Sequence, residues 1–402
     1  MTSNCLVSQS GGPTAVINNS LVGLLDEMEE QQFIGKVYGS LGGLHGLISE
    51  DFVELSTLSF KKRIQLRSTP GAALGTCRHK LTEDEAEQII TVLKKYNIRY
   101  FFYIGGNGSM QIARMIEEAA SILGYSLVVI GIPKSIDNDL LETDHSPGYG
   151  SAAKFLTTSL LEMQMDAASY PNNSRVTIIE TMGRHTGWLA GACALARNEE
   201  HSQTMIYIPE IPFNLDDCIG KVIETHKENR NSFLIVSEGI VNADGTLVNK
   251  EIGELEYDPL NRAKLGGVTT HLQEQIENQT GIQTRSITPS IWQRSSILLS
   301  SKTDAEEAYE AGRTAWKLAI KGYTGIMVGI DRINSANEDY RIEFNPKMLI
   351  DVANKEKHIP IAWYDQEKHT MQEEFLQYIR PLIQGEVQIP MENGLPLYEV
   401  IL

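Results

Sequence analysis

The feature that most limits what this chain can fold into is a repeated pairing of a short apolar run with a glycine-rich or charged turn. The turns stand at 10–14 (SGGPT), 105–109 (GGNGS), 131–139 (GIPKSIDND) and 181–184 (TMGR). Strands and helices alternate around them. Residues 4–8 read as a strand, and after the first turn Ile17, Leu21, Leu24 and Met28 recur at helical spacing. Thr82 and Glu85 make a capping-box pattern ahead of Ala86, Ile89, Ile90 and Leu93, which leads to a strand at 100–104, a helix to about residue 120 and a strand at 127–130. The second half continues with strands at 175–180, 205–208 and 233–237 and helices from about 186 and at 214–228. A polar loop is expected over 243–264, a helix near 261–279, and a helix–strand unit at 304–320 and 325–330. Such alternation predicts mainly parallel sheets covered on both faces, with ligands outside the carboxyl ends of the strands.

At 402 residues the chain exceeds what one core usually supports, so two closely packed α/β domains are expected. A net charge of −17 argues against general affinity for nucleic acid or an anionic membrane. Any anionic ligand must be caught by a local cluster of cations and backbone N–H groups. Cys5, Cys77, Cys193 and Cys218 lie far apart without CxxC spacing, which fits a reducing compartment, the cytoplasm, and disfavours a zinc knuckle or a disulfide framework. Residues 1–15 lack a basic stretch followed by an apolar one, and no run of about 18 apolar residues occurs, so no membrane contact is expected.

Glycines where a strand meets a helix let backbone N–H groups approach a phosphate, and the helix start adds the positive end of its dipole. A single such turn is as often a plain tight turn; two in one domain with cations nearby point to phosphate. No GxxxxGK[ST] sequence occurs, which excludes a P-loop, and 105–109 lacks the spacing of a dinucleotide fingerprint. Asp137 and Asp139, two apart, read alone as turn or capping carboxylates. Lys134 beside them changes the reading. A base for a hydroxyl proton, a second carboxylate for magnesium and a cation for the transferring group are what phosphoryl transfer needs. Arg78, Arg175, Arg184, Arg285 and Arg294 stand at turns or strand ends, where fork-shaped guanidinium groups suit phosphate oxygens better than the solvated surface role of a lone arginine. Glu238 follows a strand and either accepts from a polyol or caps a turn. The histidines show no metal-ligand spacing, and the tryptophans read as packing residues.

Taken together the chain resembles the phosphofructokinase family over most of its length. The matching stretches are SGGPTAVINN at 10–19, TPGAALGTCR at 69–78, GGNGS at 105–109, PKSIDND at 133–139, PGYGSAAK at 147–154, ETMGRHTGWLA at 180–190, SEG at 237–239, QRSS at 293–296 and the helix–strand segment 304–330. The resemblance implies two similar three-layer α/β/α domains with the active site in the cleft between them. Residues 1–146 plus about 293–345 would bind the phosphoryl donor, and 147–292 plus about 346–402 the sugar phosphate. Matched by position, Asp137 is the general base toward the 1-hydroxyl of fructose 6-phosphate, with Ser135, Lys134 and Arg184 assisting catalysis. Gly12, Arg78, Gly106, Gly108 and Ser109 match donor-binding positions. Met182, Gly183, Arg184, Glu238 and Arg294 match sugar-phosphate ligands, with Arg294 on the 6-phosphate, while Asn107 and Asp139 match the magnesium site. Arg175 and Arg285 match arginines supplied by a neighbouring subunit, which implies a homodimer or homotetramer.

The donor is the point of tension. Relatives that use ATP tend to carry glycine at the positions of both Lys134 and Gly108, whereas those that use pyrophosphate carry the lysine together with an aspartate. Here Lys134 stands with Gly108. An aspartate at 108 would repel a nucleotide's α-phosphate, so its absence permits ATP; the lysine is positive equipment for a leaving phosphate without a nucleotide. The resemblance therefore favours pyrophosphate, with an ATP-dependent enzyme as the alternative. Asn107 stands where an aspartate is common, and an amide is a weaker ligand for a hard cation. Ile291 stands where many relatives place a histidine that contacts the sugar phosphate, leaving a related acceptor such as sedoheptulose 7-phosphate open. A catalytically silent sugar-phosphate-binding subunit is the reading from another class, and a dinucleotide oxidoreductase is disfavoured by the missing fingerprint.

Overall fold

The computed structural model describes residues 3–170, 174–196, 202–248, 265–333 and 339–401. Along the chain run β1 (Asn4–Gln9), α1 (Ile17–Glu30), β2 (Val37–Ser40), α2 (Leu44–Ser49), β3 (Phe52–Glu54), α3 (Phe60–Arg67), α4 (Glu83–Lys95), β4 (Ile98–Gly105), α5 (Asn107–Ile122), β5 (Val128–Pro133) and α6 (Tyr149–Ala168). They are followed by β6 (Val176–Thr181), α7 (Trp188–Ala192), β7 (Ser202–Tyr207), α8 (Leu215–Lys227), β8 (Asn231–Ser237), α9 (Val268–Thr280), β9 (Thr284–Ile287), α10 (Trp292–Ser295), α11 (Lys302–Ile320), β10 (Ile326–Arg332) and β11 (Ile342–Met348). The chain divides into two compact units: Met1–Ser151, Arg294–Lys357 and Gln384–Leu402 make the first, Ala152–Gln293 and His358–Ile383 the second.

This division differs from the expected one for physical reasons. Residues 346–357 fall in the first unit because β11 pairs with β10 along its length and carries Leu349 and Val352 into that core. Residues 384–402 fall there too, since Ser301 Oγ donates to Gln384 O at 3.0 Å and Glu399 N donates to Thr69 Oγ1 at 3.0 Å. The central break lies after Ser151, inside α6, rather than at 146.

In the first unit a seven-stranded sheet has the order β11-β10-β5-β4-β1-β2-β3. Its five inner strands are parallel, and β3 and β11 run antiparallel at the edges. Strands β1, β4 and β5 read as nearly continuous apolar runs because both faces are covered, with Leu6, Phe101, Tyr103 and Val129 in one core and Val7, Phe102, Ile104 and Ile130 in the other. Each such fully buried side chain contributes about 1.5–3 kcal/mol of transfer free energy. α4 starts at the expected capping box, Glu85 N donating to Thr82 Oγ1 at 3.3 Å and Thr82 N to Glu85 Oε2 at 2.9 Å. On the opposite face α1 and α11 approach backbone to backbone. A Cβ on Gly23 would lie 1.9 Å from Tyr309 O, and one on Gly312 2.0 Å from Ser20 O, so only glycine fits this crossing.

The second unit holds a four-stranded parallel sheet, β7-β8-β6-β9. The helix expected near 261–279 begins at Val268: Gly266 and Gly267 have φ of +127° and +86°, outside helical backbone, and 261–264 lie outside the described residues. Among the described residues no helix is long and apolar enough to cross a membrane. None of the four cysteines is in a disulfide.

Candidate active site

Because β1, β4 and β5 are neighbours and parallel, the three turns that follow them emerge side by side. The register brings Gln9 level with Ile104 and Gly105 level with Pro133. The turn at 10–14, the start of α5 and the 134–139 segment thus form one edge of the first unit.

Lys134 sits at the centre of this edge. It is only 4% exposed, and its Nζ donates to Gly12 O at 2.7 Å. Burial pushes its pKa down to about 8, with Asp137 and Asp139 pulling it back up and Arg294 and Arg78 pressing it further down. Lys134, Arg78, Arg294, Asp137 and Asp139 therefore share one electrostatic neighbourhood. Arg294 is held below its ordinary value by burial and by Arg78, with Asp137 opposing. Its guanidinium lies against Gly12: a Cβ there would be 2.3 Å from Arg294 Nη1. Matched to the sugar 6-phosphate by sequence, Arg294 stands here beside the glycine turn with Arg78. Two cations against a glycine turn, with Arg78 close enough to act on both, make a site for a strongly anionic group.

The aspartates belong to a tightly bonded turn. Ser135 Oγ donates to Asp139 Oδ1 at 2.6 Å and accepts from Asp137 N at 3.2 Å. Asn138 between them adopts φ +54°, is fully buried, and its Oδ1 accepts from Ser146 N at 3.0 Å. Asp137 and Asp139 are half-buried on either side of that twist.

At the start of α5, Gly106 is the residue before the helix, Ser109 is buried, and the first turn holds no acidic side chain. Gly108 is exposed, and a Cβ placed on it would meet nothing within 4 Å. Asn107, matched to the metal site, spends its amide elsewhere: Oδ1 accepts from Asn354 N at 2.7 Å and Nδ2 donates to Lys355 O. Among the described residues no group of three or more His, Cys, Asp or Glu is placed to hold a metal ion.

On the second unit, β6 and β8 are adjacent and Thr181 is level with Ser237, so the 182–184 and 237–239 turns meet. Ser237 Oγ donates to Gly183 O at 2.6 Å, and Glu238 N donates to Thr181 O at 2.9 Å. A Cβ on Gly239 would lie 1.8 Å from Arg184 O, a contact that backbone atoms cannot relieve cheaply. Gln293 Oε1 accepts from Met182 N at 3.0 Å. Met182, Gly183, Arg184 and Glu238 are thus assembled, and adjacent residues of the QR motif serve different units, Gln293 the second and Arg294 the first.

Arg175 and Arg285 are not part of that group. Arg175 precedes β6 and Met182 follows it, a separation of roughly 20 Å along an extended strand. Arg285 is level with Thr177, near the same far end, and lines a small pocket with Arg175, Tyr170, Asp166 and Asn231. Ile291 is 60% exposed; Trp292, 64% exposed, packs only partly, its ring lying 5.6 Å from that of Phe155 between centroids.

Sequence reasoning passed over Lys357 and the amide of Gln293. Lys357 Nζ donates to Asp144 O at 2.6 Å and Thr143 O at 3.0 Å, yet a lysine in the run NKEKH carries no signal of burial. His145 is 1% exposed, its ring nitrogens bonded to Asp144 Oδ1 at 2.8 Å and Glu307 Oε2 at 2.6 Å. Burial alone would depress its pKa; Glu307 and Asp144 outweigh that and raise it to about 9.

Comparison with known proteins places the whole chain in one family. The family model described as phosphofructokinase matches residues 4–318. A pyrophosphate--fructose 6-phosphate 1-phosphotransferase of Halomonas elongata is 38% identical over 98% of this chain and 94% of its own. A sulfofructose kinase of Alkalicoccus urumqiensis is 32% identical over 90% of this chain and 92% of its own. The crystal structure of a pyrophosphate-dependent phosphofructokinase from Nitrosospira multiformis superposes with a TM-score of 0.88 at 33% identity, covering 98% of this chain and 95% of that one. The chain belongs to the phosphofructokinase family.

Proposed function

We propose that the protein is a magnesium-dependent phosphotransferase that moves a phosphoryl group reversibly between pyrophosphate and the 1-hydroxyl of fructose 6-phosphate, giving fructose 1,6-bisphosphate and phosphate. The observation that carries this reading is the buried Lys134, seated on the Gly12 carbonyl with Arg78, Arg294, Asp137 and Asp139 around it. A nucleotide donor does not call for a buried ammonium on its leaving phosphate; a bare pyrophosphate does. The Halomonas elongata relative, a pyrophosphate--fructose 6-phosphate 1-phosphotransferase, supports the same donor and acceptor.

In this reading the first unit holds the donor through Gly12, Arg78, Gly106, Gly108, Ser109, Lys134 and Arg294. The second unit holds the sugar phosphate through Met182, Gly183, Arg184 and Glu238. Asp137 takes the proton of the 1-hydroxyl as that oxygen attacks phosphorus in line, the bridging P–O bond breaks, and Lys134 neutralises the departing phosphate. Ser135 orients the Asp137–Asp139 turn. Magnesium usually takes one or two carboxylates and several donor oxygens, which fits Asp139 with Asp137; bound there it would neutralise donor charge. Asn107 has a structural partner at each amide atom, so its part is to hold the turn. The placement of Arg175 and Arg285 away from the other ligands supports a homodimer or homotetramer in which they serve a neighbouring copy. The enzyme works in the cytoplasm.

A second reading concerns the acceptor alone. Ile291 in place of a histidine, and the sulfofructose kinase among the relatives, favour trying a sulfofructose, a sulfonate in place of a phosphate, beside fructose 6-phosphate. The test is steady-state turnover with magnesium and either pyrophosphate or ATP on each acceptor, with Asp137→Ala as control. Pyrophosphate-driven turnover that vanishes in Asp137→Ala, with sugar-phosphate binding kept, is expected. Turnover with ATP alone would overturn the donor, and turnover on the sulfonate alone the acceptor. None with any pair would favour a silent subunit.

A further inference from the structure

The turn that bears Asp137 and Asp139 is fixed from outside by a short stretch more than 200 residues further on, Lys357 standing 219 positions after Asn138. Residues 354–357 follow α5's neighbour Val352 and run past the start of α5 and the segment that carries Asp137 and Asp139. Asn354 N and Lys355 O bind the Asn107 amide at the start of α5. Glu356 forms an antiparallel bridge with Leu140, and Lys357 N donates to Asp139 O at 2.9 Å. The Lys357 side chain then enters the loop 138–144, where Nζ meets Asp144 O at 2.6 Å, Thr143 O at 3.0 Å and Asn138 Oδ1 at 3.5 Å. The loop is also tied by Asn138 to Ser146 N, by the paired bonds of His145 to Asp144 and to Glu307 on α11, and to β10 through Asp144 N on Ile330 O at 2.7 Å, Ile330 N on Thr143 Oγ1 at 3.0 Å and Arg332 on Asp144 Oδ1 at 3.0 Å. Two of the acceptors around Nζ are main-chain carbonyls that converge because a cation lies among them.

We propose that Lys357 is a positioning residue for phosphoryl transfer, its ammonium a captive cation that closes the loop behind Asp137 and Asp139 and sets the aim of both carboxylates. The proposal rests on the phosphotransferase reading. An ammonium is suited to the task because three donors radiating from one point can draw in three oxygens from different parts of a loop. Its Nζ is engaged by the loop's own oxygens, so it acts on the aspartates through the loop they belong to. Misplacing a reacting group by about 1 Å costs on the order of a hundredfold in rate, so the loss belongs in kcat.

The test uses the full chain with pyrophosphate and fructose 6-phosphate. Lys357→Ala and Lys357→Met are expected to lose about a hundredfold in kcat, with each KM changed less than about threefold. Ethylammonium should restore Lys357→Ala at least about fivefold by refilling the oxygen cage, while ethanol, uncharged and of like size, should not. It should do nothing for Lys357→Met, whose side chain fills the space. Asn138→Gly keeps the positive φ but removes one oxygen of the cage, and a kcat loss of about tenfold or more is expected there even if the Lys357 variants fail to fold. A smaller loss in Asn138→Gly, wild-type kcat in the Lys357 variants, or a loss in Lys357→Ala that no amine restores would overturn the proposal. A wild-type chain inactive with every donor would instead sink the phosphotransferase reading, and this inference with it.

Discussion

Lys134→Met separates the chemical role of the buried ammonium from any structural one, because the two predict opposite effects on stability. In the fold the lysine is 4% exposed and its pKa lies at about 8 instead of 10.5, burial being the largest cause. A gap of about 2.5 units corresponds to a cost on the order of 3 kcal/mol for keeping the side chain charged. Since the folded pKa is the lower one, that cost is present in full below pH 8 and shrinks as the pH rises toward 10.5. Methionine removes it and leaves the Gly12 carbonyl without this donor, a loss of about 1–3 kcal/mol. The variant should therefore melt at pH 7 within a few degrees of the wild type, or above it, whereas its pyrophosphate-driven kcat should fall about 10²–10³-fold, the range for removing one preorganised charge-stabilising donor. Thermal melts and a coupled assay with both donors measure the two quantities. In the wild type kcat/KM for pyrophosphate should decline as the pH climbs through about 8, and the variant should lack that limb. Unchanged pyrophosphate turnover, or a loss of several degrees in Tm that accounts for the lost activity, would refute the reasoning.

Gly108→Asp fills open space in the first turn of α5, so it should raise stability by about 0.3–1 kcal/mol through the helix dipole and leave pyrophosphate turnover nearly intact. Any rate with ATP should drop, and a preserved ATP rate would show that this position does not exclude nucleotide. His145→Gln addresses pH dependence: with a folded pKa of about 9 against 6.5 unfolded, His145 contributes on the order of 3 kcal/mol below pH 6.5 and loses it as the pH rises through 9. Wild-type Tm should thus fall more steeply between those values than that of the variant, and parallel curves would count against the buried imidazolium.

Much of the fold was legible because its signals are local. The Thr82–Glu85 cap, the apolar face of α1 and the glycine turns after β1 and β4 are each specified within a few residues. The site was legible in its motifs and opaque in its seating. Arg294 reaches Gly12 and Gln293 reaches Met182 through tertiary packing that a shared motif cannot disclose. The partial burial of Lys357 and the carbonyls it gathers depend on β11 carrying the chain back to the first unit, and a strand at 342–348 with mixed polarity gave no alternating pattern to announce it. The Gly23–Gly312 crossing was invisible for the same reason: the close approach belongs to a pair of helices, and each glycine alone reads as a helix weakness.

The central claim is the donor, and a single competition decides it. Purified protein with magnesium, fructose 6-phosphate and equal pyrophosphate and ATP, followed by ³¹P NMR, should show pyrophosphate giving way to phosphate and a sugar bisphosphate while the three ATP resonances stay constant. Fructose 1,6-bisphosphate with phosphate should in turn regenerate pyrophosphate. Loss of the ATP γ-resonance with pyrophosphate untouched would contradict the account.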